Sequence, residues 1–245
     1  MIISPSRRFA FVHVHKTAGE SVSAALAPLL SAPDLLIDGG PRNAMRRRLV
    51  PRYRVASRLD KHSSATAMRA FLGTEEWDAL YSFAVVRDPI RRAVSLYRYL
   101  HMVRDLAASS LSRRAWYATP LGRSADPASW SGIRALKATT SFSEFIRHPE
   151  ALVDPGFQPQ VDMVDDPQDG RIVTRVIAME RLAEEFAEVQ DEIGIDPRVP
   201  LPHQNASSST PSPRRVEVTD ADREFLADRF AADFTAFGYS PQRND

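Results

Sequence analysis

The sequence contains no cysteine. That absence excludes disulfide bonds and every metal site built on thiolates. The Gly-x4-Gly-Lys-Ser/Thr loop used by many nucleotide-binding proteins does not occur either, while the ten glycines and eighteen prolines are ordinary for a loop-rich globular domain. No run of about 18 apolar residues is present to span a bilayer. No leader is visible: the stretch from Phe9 to Val14 is short and runs straight into His15 and Lys16. A soluble, cytoplasmic protein with no transmembrane segment is the expectation. The net charge of +1 gives no reason to expect nucleic acid as a partner.

What is present suffices for one sizeable core. With 43% hydrophobic residues over 245 positions, a single α/β domain covering 1–245 is the natural reading. The chain is organised around the stretch from Phe9 to Leu30. It opens with the apolar, β-branched run of a buried strand, turns through His15-Lys16-Thr17-Ala18-Gly19-Glu20-Ser21, and continues with a helical pattern from Val22 to Leu30. A strand, a short polar loop and a helix N-terminus suit an anion. Backbone N–H groups of the first helical turn and the positive end of the helix dipole converge there. Lys16 adds a mobile positive charge, and Thr17 and Ser21 add hydroxyls.

A second junction of the same kind follows. Tyr81 to Val86 reads as a buried strand, Arg87-Asp88-Pro89 ends it, and a helix is expected from Ile90 to about Val103, with Asp88 as its cap. Arg87 at the strand end and Ser95 in the helix then face the C-terminal edge of a sheet, where open α/β folds bind ligands. Between the two junctions, His62 lies just before a helix from Ala65 to Leu72 that Ser63 or Ser64 caps. Thr74 is expected to cap a further short helix.

Elsewhere the pattern is less pointed. Arg42 to Leu59 is basic, and it reads either as a solvated face or as a patch for an anionic acceptor. Ser31 to Pro41 and Ala107 to Ser131 read as loops, the latter long enough to shape an acceptor pocket. Ser141 to Glu144 fits a capping box. Asp154 to Gly170 carries five aspartates at spacings that fit no standard calcium loop, so it reads as solvated surface and no metal site is expected. A third strand is expected over Arg171–Met179, and an amphipathic helix over Glu180–Ile193 that Gly194 ends.

Taken together, two stretches resemble the PAPS-dependent sulfotransferase superfamily, in its carbohydrate-type (family 2-like) branch. Val12 to Ser21 resembles the loop that grips the 5′-phosphosulfate of the donor PAPS (3′-phosphoadenylyl sulfate). Phe83 to Tyr97 resembles the element that binds the donor's 3′-phosphate. Weaker echoes are Ile177 to Leu182, Leu201 to Ser207, and the close from Asp233 to Tyr239. The resemblance implies a P-loop-NTPase-like fold with a central, mainly parallel sheet flanked by helices. It implies donor contacts from His15, Lys16, Thr17, Ala18, Gly19, Glu20 and Ser21, and from Arg87 and Ser95. Lys16 would stabilise the leaving phosphate, and His62, in a stretch similar to the family's Lys-His-Ser/Thr-x-Ala, would be the general base, with His15 and His13 as alternatives. The donor would be PAPS, with no metal required, and the acceptor a hydroxyl, or an amine, of a saccharide or small molecule. One departure is Glu20, where the branch usually has Thr: it sets a carboxylate beside an anion site. The competing readings are a nucleotide-dependent kinase on the same strand–loop–helix plan and a catalytically silent nucleotide-binding scaffold. The sequence does not give the acceptor's identity or the oligomeric state.

Overall fold

A computed structural model of the chain describes residues 1–38, 46, 50–109, 115, 117, 119, 126–196, 199–202 and 216–242. The chain divides into two compact units: Met1–Arg87 with Gln160–Ala206, and Asp88–Pro159 with Ser207–Asp245.

The first unit is built on a five-stranded sheet of β1 (Ile2–Ser4), β2 (Phe9–Val12), β3 (Leu35–Leu36), β4 (Tyr81–Val86) and β7 (Arg175–Ala178). Across the sheet they stand in the order β3-β1-β2-β4-β7. The two longest ladders are parallel, β2 with β4 and β4 with β7. The short strands β1 and β3 run antiparallel, β1 between β2 and β3 and β3 at the sheet's edge. Phe11 and Phe83 are register partners in adjacent strands and stack with ring centroids 5.0 Å apart. Val22 and Leu26 of the Gly19–Leu26 helix, and Phe186 and Val189 of the Leu182–Glu192 helix, complete this apolar core. Each helix presents the one apolar stripe that its 3.6-residue period allows.

Parallel pairing is what positions the site. Val12 pairs with Ala84, so β2 and β4 end side by side. The loop that starts at His13 and the residue Arg87 therefore leave the sheet at the same edge. The structure departs from the sequence reading at the strands on either side. β2 stops at Val12, not Val14. β1 and β3 are additional, the latter within the stretch read as loop. The third strand is shorter than Arg171–Met179. Gly170–Arg171 instead forms β6, paired with β5 (Asp165–Asp166) in a separate two-stranded ribbon. The cause lies at Ile172–Thr174, where side chains take over the ladder's hydrogen bonds. The Ser82 N–H donates to Thr174 Oγ1 (3.2 Å), the Thr174 N–H donates to Ser82 Oγ (2.9 Å), and Trp77 Nε1 donates to the Ile172 carbonyl (2.9 Å).

The second unit is helical. Its longest helix, Pro89–Ser109, runs beyond the expected end near Val103 into the stretch read as loop. Asp88 caps it as expected, its Oδ1 accepting from the Arg91 N–H at 2.7 Å. Leu96, Tyr97 and Leu100 of this helix pack with Phe142, Phe145, Phe157, Leu226 and Phe230. Arg92 is buried among them, donating to the carbonyls of Gly156 (2.8 Å) and Gln158 (2.7 Å). Asp154 is buried rather than solvated: its carboxylate accepts from the N–H groups of Gly132 (2.9 Å) and Gly156 (2.8 Å) and from the Ser131 hydroxyl. Two caps also differ from expectation. Gly73, at φ +90°, rather than Thr74, precedes the Thr74–Asp78 helix. Ser141 caps its helix through the Glu144 N–H, but the Glu144 carboxylate reaches back to the Thr140 N–H, one residue earlier than a capping box places it.

Candidate active site

β2 releases the chain into the His13–Ala18 loop, and the Gly19–Leu26 helix takes it up again. Two non-glycine residues here have positive φ, Lys16 at 66° and Ala18 at 60°, with Thr17 between them in the ordinary negative range. Such backbone costs of order 1–3 kcal/mol per residue. Alternation of φ sign along consecutive residues folds the N–H groups into a concavity, a recognised way to hold an anion. The helix begins directly behind, and its first amides have no preceding helical carbonyl to bond.

The surrounding side chains fix this loop from beneath. The Thr17 hydroxyl donates to the Val14 carbonyl at 3.1 Å and is buried, so it braces the turn and its hydrogen is spent inward. The Ser21 N–H turns back on the Ala18 carbonyl at 2.9 Å, which leaves the amides of Ala18, Gly19 and Glu20 at the head of the helix. Gly19 is buried against the His13 imidazole, and a Cβ at that position would overlap the ring. His13 itself is 4% exposed, and its Nδ1 has no hydrogen-bond partner. Burial, with the N-terminus, His62, Lys61 and His15 adding to it, holds His13 well below the usual histidine pKa and therefore neutral.

Three imidazoles meet at this point. His62 stacks on His15, with ring centroids 3.5 Å apart, and meets His13 edge-on at 4.7 Å. His62 Nδ1 lies 2.8 Å from the His13 carbonyl. A carbonyl only accepts, so Nδ1 carries the proton and Nε2 carries the lone pair. Burial lowers the His62 pKa to about 4, with Lys61 pushing the same way and the bond to His13 pushing against it. The residue is therefore neutral around pH 7. His62 comes from a turn that Asp60 ties together: its carboxylate accepts from the His62 N–H at 2.8 Å.

The cations are coupled as well. Lys16 is lowered to about 8, first by burial, then by Arg87 and Lys61. Arg87 is thus an electrostatic neighbour of Lys16, as the sheet register requires. Its backbone is held at both ends by one buried side chain: Gln160 Oε1 accepts from the Arg87 N–H (2.9 Å), and Gln160 Nε2 donates to the Arg87 carbonyl (2.8 Å). Glu20, in the first helical turn, pairs with the ammonium of Lys61.

His13, His15, Lys16, Thr17, Ala18, Gly19, Glu20, Ser21, His62 and Arg87 all belong to the first unit. Ser95 belongs to the second, half-buried on the Pro89–Ser109 helix. Sequence reasoning missed two members. Gln160 sits in the stretch read as acidic loop, with no local signal to mark it. Lys61 stands next to His62, and that adjacency was the signal available. Of the basic segment, Arg46 and Arg52 lie over the Tyr53 ring at 5.7 and 5.2 Å, whereas Arg42, Arg47 and Arg48 fall outside the described residues. So do most of Ala107 to Ser131 and the echo and loop at His203 to Pro213. Among the described residues, no group of three or more His, Asp or Glu is placed to hold a metal ion, and no helix is long and apolar enough to cross a membrane.

A family model described as "Sulfotransferase family", that of family 2, matches residues 1–240, spanning both units. No curated protein and no solved structure matches the chain.

Proposed function

The chain belongs to the sulfotransferase family and is accordingly a sulfotransferase; on that premise we propose that it takes the sulfuryl group from PAPS and passes it to a hydroxyl of a saccharide or small hydroxylated molecule. The observation that carries the donor assignment is the alternation of φ along Lys16-Thr17-Ala18 at the head of a helix, with Lys16 and Arg87 as electrostatic neighbours. In this reading the amides of Thr17 to Glu20 hold the 5′-phosphate. Arg87, whose guanidinium fork suits bidentate contact, holds the 3′-phosphate. The resemblance gives Ser95 the same phosphate, and Ser95→Ala tests that through affinity for PAP, the desulfated product.

The chemistry follows from the side chains. The acceptor oxygen bonds to sulfur while the bond from sulfur to the bridging oxygen breaks, and that oxygen keeps the electron pair. Lys16, protonated below about pH 8, meets the charge that develops there. Nε2 of His62 takes the acceptor's proton, the tautomer being set by the bond from Nδ1 to the His13 carbonyl. His15, stacked on His62, orients that ring, and His13 packs beneath the loop. Sulfuryl carries less charge than phosphoryl, so the residues suffice without a metal. The kinase alternative lacks the Gly-Lys-Ser/Thr loop.

Calorimetric titration with PAP, ADP and ATP, each with and without Mg²⁺, tests the donor. Metal-independent binding of PAP, lost in Arg87→Ala, is expected. Preference for ATP with Mg²⁺ would overturn the reading in favour of a kinase, and binding of none of the three would leave a scaffold. Transfer from radiosulfur-labelled PAPS to a panel of saccharides then identifies the acceptor.

A further inference from the structure

Glu20 is the residue that fits least well. A carboxylate in the first turn is favourable to the helix dipole, but here it stands where a phosphate is to bind. The structure gives it a partner. Lys61 Nζ reaches Glu20 Oε1 from a different part of the chain, 41 positions away. The Lys61 side chain is only 22% exposed, and burial lowers its pKa. Lys61 also lies close enough to Lys16, His62 and His13 to depress all three. It therefore borders the loop itself rather than the outer surface of the helix.

Its backbone is as well held as its side chain. The Lys61 carbonyl accepts from the Met1 nitrogen at 3.1 Å, alongside the Ile37 carbonyl at 3.0 Å. On either side of it, the Asp60 N–H donates to Ser63 Oγ at 2.9 Å and the His62 ring is anchored on His13. A lysine on such a braced turn has a limited reach, and that reach covers Glu20 and the neighbourhood of Lys16. Lys61 and Arg87 both act electrostatically on Lys16, so the cations gather at the loop that the donor is proposed to occupy, with Glu20 the carboxylate that Lys61 holds meanwhile.

We propose that Lys61 is a second donor-contacting cation, stored on Glu20 in the unliganded protein and transferred to the donor's phosphosulfate when it binds. This deepens the proposed function and rests on the reading that the loop holds PAPS. Glu20 then serves as the counter-ion that keeps Lys61 in place, and it competes with the donor for the same ammonium. The alternative is a plain ion pair that fastens the Gly19–Leu26 helix to the Asp60–Ser63 turn. The two differ in sign. A fastening pair weakens donor binding whichever partner is removed. A competing counter-ion makes the two removals act in opposite directions.

The test is calorimetric titration of PAP, and of PAPS, into wild type, Lys61→Ala, Lys61→Arg and Glu20→Gln, with Lys16→Ala as control and the thermal midpoint of each variant recorded. Loss of Lys61 is expected to weaken PAP about tenfold, as removal of one charge-assisted hydrogen bond does. Lys61→Arg is expected to stay within about threefold of wild type, because the charge is kept. Glu20→Gln is expected to tighten PAP about threefold, a modest effect for a half-exposed carboxylate. Weakening in both Lys61→Ala and Glu20→Gln, or no change in either, overturns the proposal. If Lys61→Ala does not fold, Glu20→Gln decides alone: tighter binding supports the proposal, and equal or weaker binding overturns it. Failure of wild type to bind PAP at all is a different result, since it removes the donor reading itself. Binding by wild type that is lost in Lys16→Ala but unaltered by Lys61 and Glu20 keeps the donor reading and removes only this inference.

Discussion

Replacing Gln160 by Leu removes both hydrogen bonds that hold the Arg87 backbone. The side chain is fully buried, and its amide oxygen and nitrogen bond the N–H and carbonyl of the same residue at 2.9 and 2.8 Å. Leu is of similar size and fills the space, so the loss is chiefly that of the two part-buried hydrogen bonds on the Arg87 backbone. Each unmade bond of this kind costs about 1–3 kcal/mol, the carbonyl less than the N–H. A total of about 3 kcal/mol lowers the thermal midpoint by roughly 6–12 °C in a chain of this length. Gln160→Glu separates the two bonds. Its carboxylate still accepts from the Arg87 N–H but cannot donate to the carbonyl, and it faces that carbonyl with like polarity. Gln160→Glu is thus also destabilised near pH 7, and it recovers as the pH falls and the carboxyl gains a proton to donate. Functionally, Arg87 loses its fixed starting point, so PAP affinity falls about tenfold. Differential scanning fluorimetry from pH 4 to 8 and PAP titration provide the readout. A midpoint shift below about 2 °C in Gln160→Leu, with PAP affinity unchanged, would refute the claim that Gln160 positions Arg87.

PAP affinity should fall as the pH rises through about 8, because Lys16 loses its proton there; Lys16→Arg should remove that fall, and a fall at the same pH in Lys16→Arg would assign it elsewhere. His62 is neutral and buried, with a folded pKa of about 4 against an ordinary 6.5. Its contribution to stability is therefore complete above about 6.5 and is lost as the pH drops towards 4; urea titrations over that range should show the loss, and His62→Asn should reduce it. Gly19→Ala sets a Cβ into the His13 ring and should cost about 1–3 kcal/mol as overpacking, read as a lower urea midpoint, while Gly19→Ala combined with His13→Ala should recover part of it.

The parts of the site that were legible in the sequence are those made by adjacency along the chain. The run from Phe9 to Ser21 contains its own strand, loop and helix start. The run from Tyr81 to Pro89 contains its own strand, the Arg87 terminus and the Asp88 cap. Local pattern is enough for both, because β-branched runs, caps and loop residues act within a few positions. The positions of β1 and β3 were not legible. Strands of two or three residues are too short to leave a period to read, and β3 pairs with β1 only after the whole Gly19–Leu26 helix has intervened. Positive φ at Lys16 and Ala18 was equally hidden, since neither residue type announces it. Gln160 and Lys61 act across 73 and 41 positions. A glutamine that satisfies a distant backbone looks like any polar loop residue until the chain is folded.

The same burial that assembles the imidazoles sets how they work. His13, His15 and His62 pack ring against ring beside Lys16 and Lys61. Burial, with Lys61 adding to it, disfavours a charge on His62, which is why it drops to about 4. A base so lowered is unprotonated throughout the physiological range but has little affinity for a proton on its own. It becomes effective only when negative charge is brought alongside it to stabilise the imidazolium. In the proposed reaction that charge arrives with the donor, whose phosphate and sulfuryl oxygens lie among Lys16, Lys61 and the loop amides. Donor binding is therefore expected to raise the pKa of His62. Titration of the His62 ring protons by NMR with and without PAP tests this directly. An increase of a unit or more links the base to the donor site, whereas an unchanged pKa would mean that His62 does not sense the donor and that the acceptor's proton goes elsewhere.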